Sequence, residues 1–160
     1  MRRSLPILIV SILAVALAGF ALSGCGSGGA ATAASAHRAK AAVAAKTVAV
    51  LVKSDEQRGR KGPDGKWHDA FLPAEIAVKA GQRVTLTFAN SDDMPHTFTT
   101  SQLGVNVKIP GGSEKAPGKA TVTFTAPSTP GRYLWICAMP CDPWAMAHDG
   151  YMRGHVTVTA

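Results

Sequence analysis

The stretch "CAMPCDPWAMAHDGYM", Cys137 to Met152, concentrates the groups in this chain that are able to do chemistry. It holds two cysteines four residues apart, His148, and three thioethers at Met139, Met146 and Met152. Thiolates and imidazoles are metal ligands, and thioethers suit soft metal ions. Two thiols at this separation are also able to close a disulfide, and Met is a common filler of core gaps. The loop therefore reads as a metal site, a disulfide or a packed core. Which of these applies depends on the compartment and on the elements that present the loop.

The chain starts "MRRSLPILIVSILAVALAGFALSGC". Arg2 and Arg3 precede an apolar run, and small residues lead into Leu22-Ser23-Gly24-Cys25, the layout of a secretory signal peptide. Leu-Ser-Gly-Cys resembles the bacterial lipobox, which implies a signal peptide over 1–24 and lipidation of Cys25. A retained anchor helix and plain secretion are the alternatives, since the run is borderline in length for a membrane span. Residues 25–46, rich in Ala, Gly and Ser, read as a flexible tether. The expected location is extracytoplasmic, lipid-anchored to the cell membrane.

The formal charge of +7 is uneven. Five cations precede Thr47 with no acidic partner, whereas from Thr47 onward 12 Lys or Arg face 10 Asp or Glu. The basic excess lies beside anionic headgroups. No basic stripe with interleaved aromatics points to nucleic acid. With Cys25 set aside, Cys137 and Cys141 remain, and an oxidising compartment permits a disulfide between them.

From Thr47 the sequence alternates apolar and polar residues with period 2, the pattern of half-buried strands. Strands are expected over 47–53, over 75–90 with a break at Ala80-Gly81, and over 96–100, 104–109, 120–126, 131–137 and 154–159. Gly/Pro clusters punctuate them. Eight short strands with no long helical pattern make residues 47–160 a Greek-key β-sandwich. Residues 54–70 read as a long polar loop, with Trp67 and His68 as packing and surface residues. His155 reads as structural or exposed.

Three segments resemble the cupredoxins, and in particular the copper-A domain of cytochrome c oxidase subunit II. They are "FLPAEIAVKAGQRVTLTFANSDDMPHTF", "HTFTTSQLGVNVKIPGG" and "TPGRYLWICAMPC", in the family's order and spacing. The resemblance implies a cupredoxin-like sandwich that binds one or two copper ions through His96, Cys137, Cys141, His148 and Met152, with the Met139 backbone carbonyl as a further donor. It implies one-electron transfer at the outer face of the cytoplasmic membrane, without enzymatic activity of its own. Implied partners are a cytochrome c, a quinol-oxidising complex or a terminal oxidase. The rival function is a Cu(I) carrier delivering metal to an oxidase.

Thiolate and thioether suit Cu(I), and imidazole suits both copper oxidation states. Tyr133, Trp135 and Cys137 alternate and so share one strand face, which puts Cys137 at a strand end. A two-copper site bridged by both thiols, a mononuclear site using one of them, and a disulfide all remain open. The family spacing is Cys-x3-Cys-x3-His-x2-Met, whereas this chain has six residues before His148 and three before Met152. The insert "DPWAMA" is expected to bulge outward, stiffened by Pro143 and anchored by Trp144. A single helical turn there would put His148 and Met152 on one face, both pointing toward His96 and Cys137.

Overall fold

The computed structural model describes residues 43–160. The signal peptide, Cys25 and the tether up to residue 42 lie outside the described residues. The chain forms, in order, β1 (Lys46–Lys53), β2 (Arg60–Lys61), β3 (Trp67–His68), β4 (Ala70–Leu72), β5 (Glu75–Lys79), β6 (Arg83–Asn90), β7 (His96–Thr100), β8 (Val105–Ile109), β9 (Gly118–Thr125), β10 (Gly131–Ile136), α1 (Pro143–Ala147) and β11 (Arg153–Thr159).

Period-2 burial drives the strands into two layers. On β6, Val84, Leu86, Phe88 and Asn90 are buried and their neighbours are not; on β11, Gly154, Val156 and Val158 are. One sheet runs β4-β1-β6-β9 and the other β5-β11-β10-β7-β8, while β2 and β3 form a small separate hairpin. β1 pairs parallel with β6, and β5 with β11, so strands distant in sequence become neighbours. The ligand-bearing segments are joined differently: β7 and β10 pair antiparallel, and the chain between them passes through β8 and, in the other sheet, β9, which separates the two segments in sequence while they adjoin in space.

The inward faces meet in an aromatic centre. Phe98 stacks on Trp135 with ring centroids 4.8 Å apart, and Phe71 lies 4.9 Å from Trp135. Trp135 Nε1 donates to Ala74 O at 2.8 Å, which satisfies the one polar group of a fully buried indole. Gly154 makes this packing possible, because a Cβ there would run into the Ala74 carbonyl and the Trp135 ring. Gly81, at φ +72, makes the turn that splits residues 75–90 into β5 and β6.

Two expectations need correction. Residues 54–70 are not one loop, since they contain the β2–β3 hairpin and the start of β4. His68 is buried at 6% exposure, whereas Trp67 is exposed at 41%.

Candidate metal centre

The site is assembled where β7 begins and β10 ends. His96 opens β7 and is fully buried. Its ring approaches Phe71 edge-on, with centroids 6.2 Å apart, so the aromatic core backs it directly. Cys137 follows β10, continues the inward series Tyr133, Trp135, and is 2% exposed. Its N–H donates to Met152 O at 2.8 Å, and the next N–H, of Ala138, donates to Thr97 Oγ1 at 2.8 Å. These two bonds tie the start of the loop to the turn just before β11 and to β7.

Cys137 Sγ lies 3.7 Å from His96 Nδ1, although the residues are 41 apart in sequence. The Met139 carbonyl oxygen lies 3.7 Å from the same sulfur. Cys141, half-buried, completes a group in which the ligand atoms of His96, Cys137 and Cys141 all lie within 4.8 Å of one another. Cys137 and Cys141 stand as two free thiols. Behind His96, Nε2 donates to Asp92 Oδ2 at 2.8 Å.

The electrostatics match the geometry. The neighbouring Cys141 thiol lowers the Cys137 pKa, the His96 imidazole lowers it further, and together they outweigh the opposing effect of burial, so Cys137 favours the thiolate. Cys141 is pushed up, by the adjacent Cys137 first and by burial second. Burial opposes charge on His96, but Cys137 and Asp92 prevail and raise its pKa. A buried thiolate beside an imidazole is a ready cation site. Two thiols and one imidazole fit copper, with the Met139 carbonyl alongside.

A cavity of about 660 Å³ reaches this group from one side. Cys141 lines it together with Met94, Trp67, Asp69, Asp92 and Trp144, whereas Cys137 and His96 do not. Cys141 is thus the sulfur that faces the opening.

The other expected ligands are placed differently. The insert does form a turn of helix, α1, capped by Asp142, whose Oδ1 accepts from Trp144 N at 2.8 Å and Ala145 N at 3.1 Å. The helix ends at His148, which is its C-cap in extended conformation (φ −116, ψ 129). His148 and Met152 therefore do not share a helical face. His148 is exposed, its Nδ1 donates to Trp144 O at 2.7 Å, and its ring stacks on Trp144 at 3.8 Å. The structure does not bring it to the group formed by His96, Cys137 and Cys141. Met152 is fully buried and adjoins Cys137 through its backbone.

Sequence reasoning missed Asp92, which lies four residues before His96 in a loop where no periodicity marks it. It also missed the structural role of His68. That ring contacts Asp142 Oδ2 at 2.6 Å and Asp64 at 3.2 Å, and stacks on Trp144 at 3.9 Å.

The model of the cupredoxin-like domain family matches residues 27–158, most of the chain. This chain is a cupredoxin. Among solved structures, the cupredoxin is similar to dithionite-reduced auracyanin from the photosynthetic bacterium Roseiflexus castenholzii. The two share 21% identity over 74% of this chain and 100% of the auracyanin, with TM-score 0.51. It is also similar to the multicopper oxidase mgLAC, at 17% identity over 72% of this chain and 39% of that one, TM-score 0.50. The periplasmic domain of subunit II of cytochrome oxidase (CoxB) of Bradyrhizobium japonicum aligns at 12% identity over 70% of this chain and 83% of that domain, TM-score 0.46. No curated protein matches the sequence.

Proposed function

We propose that this cupredoxin is a one-electron carrier that holds copper between His96, Cys137 and Cys141, with Met139 contributing its carbonyl and Met152 adjoining from the turn before β11. The observation that carries this reading is the convergence of three soft or borderline donors within 4.8 Å at the buried junction of β7 and the β10 loop. Copper in such a donor set supplies a reversible change between two oxidation states. The chain's part is to present the donors already in place. Backbone bonds from Cys137 and Ala138 fix the loop, and the aromatic core backs His96. Little reorganisation then accompanies the gain or loss of an electron.

The sharing of metal by both thiols, as in a copper-A centre, is part of the proposal, as is lipidation at Cys25 at the outer face of the cytoplasmic membrane. Partners there would be a cytochrome c, a quinol-oxidising complex or a terminal oxidase. The protein acts as a carrier and not as an enzyme. Two observations favour a second reading, a Cu(I) carrier for such an oxidase. His148 is turned away, and Cys141 opens onto the cavity.

Copper stoichiometry, the optical spectrum and voltammetry of the purified protein test both. Electron transfer requires a reversible couple and a sulfur-to-copper absorption that Cys137→Ser abolishes. Cys141→Ser should change the metal count or the spectrum, and an unaltered centre would exclude shared thiols. Tight Cu(I) binding without a reversible couple would favour the carrier. Absence of copper binding would sink both readings.

A further inference from the structure

Only Nδ1 of His96 faces Cys137, and the opposite nitrogen is held by a carboxylate. Nε2 and Asp92 Oδ2 are 2.8 Å apart, with side chains 0% and 8% exposed. Asp92 is itself fixed on three sides. Its N–H donates to Asn90 Oδ1 at 3.0 Å, its Oδ1 accepts from Met94 N at 3.2 Å, and its carbonyl accepts from Gly112 N at 2.7 Å. Asn90, fully buried at the end of β6, donates through Nδ2 to Met94 O and Pro110 O. Residues 90–96 therefore form a closed frame that aims one carboxylate oxygen at one ring nitrogen.

We propose that Asp92 is a positioning residue of the metal centre, orienting His96 through Nε2 and holding the reduction potential down. The proposal rests on the copper reading above. A carboxylate that accepts from Nε2–H leaves Nδ1, on the side of Cys137 and 3.7 Å from its sulfur, as the ring nitrogen that a metal would take. Outer partners of this kind fix the ring and its tautomer and raise its basicity as a ligand. A negative group one imidazole away from the metal favours the more positive, oxidised state, and burial strengthens this because water screens it less.

The alternative is that Asp92 only folds its loop through the bond from Met94. Asp92→Asn separates the two, because the amide keeps the shape and an oxygen able to accept while losing the charge. In the metal-free protein, the Nε2–H proton of His96 should give a slowly exchanging, downfield NMR signal. Asp92→Asn should move it upfield, and Asp92→Ala should remove it. With copper bound, Asp92→Asn should raise the reduction potential, and Asp92→Ala should weaken copper binding by roughly 10–100-fold, the usual cost of losing such a partner. A proton signal unchanged in both variants overturns the orienting role. A potential unchanged or lowered in Asp92→Asn overturns the electrostatic role. The proton signal is read without metal, so its failure is distinct from a failure to bind copper. If Asp92→Ala does not fold, the Asn variant alone decides both points.

Discussion

Trp144 lies between two imidazoles: His148 is 3.8 Å from it at 14° and His68 is 3.9 Å from it at 16°. Two rings so nearly parallel and so close to one indole occupy its opposite faces. The stack pins the insert to the β2–β3 hairpin and accounts for where His148 points.

Removing the outer ring should then leave the metal site intact. His148→Ala should bind copper with wild-type stoichiometry and lose about 0.5–1.5 kcal/mol of stability, the worth of an aromatic pair. Copper titration and thermal melting check this. A large loss of copper binding would place His148 in the centre after all.

The inner ring should make stability depend on pH. Burial disfavours protonated His68, but the bonds to Asp142 and then Asp64 overcome it and raise the pKa above its ordinary 6.5. Its contribution is therefore complete below 6.5 and is lost as pH rises through the raised folded value. Asp64 and Asp142 are both lowered from 3.8: some burial opposes this, but bonds from backbone N–H groups and His68 prevail. Their contribution is complete above 3.8 and is lost as pH falls through the depressed values. The bridge should be strongest between these limits. The difference in melting temperature between wild type and His68→Gln should peak near pH 5–6 and shrink toward alkaline pH, whereas a difference independent of pH would refute the bridge.

Asp142 both caps α1 and pairs with His68. Asp142→Ala should cost about 1–2 kcal/mol from the cap alone, and Asp142→Asn clearly less, because an amide oxygen also caps. Chemical denaturation of both variants checks the order. Equal losses would mean that the cap contributes nothing.

Trp135→Phe keeps an aromatic ring in the core but leaves the buried Ala74 carbonyl without its donor. A loss of roughly 1–3 kcal/mol is expected for the orphaned acceptor, read as a lower denaturant midpoint. No change would show that the indole N–H bond is dispensable.

The strands were legible because alternating burial is written directly into residues such as Val84, Leu86 and Phe88, and the break at Gly81 because glycine tolerates its positive φ. Cys137 was legible for the same reason, being the next inward position after Tyr133 and Trp135. His148 was not. A helix of five residues has no periodicity of its own, so its end was set by tertiary contacts of Trp144 and by the extended backbone at residue 148. Asp92 was hidden because its link to His96 runs through a loop, where spacing carries no rule about direction. His68 was hidden because its partner Asp142 is 74 residues away.

β11 lies between β5 and β10 and follows both in the chain. A chain emerging from its N-terminus therefore carries an open slot in the larger sheet until nearly all of it has been made. Met152, which anchors the Cys137 N–H, immediately precedes that final strand. The pocket for the metal thus cannot mature on a partial chain. Its closure coincides with completion of the sheet, so unfinished or C-terminally clipped molecules lack the fixed loop that a site for metal requires.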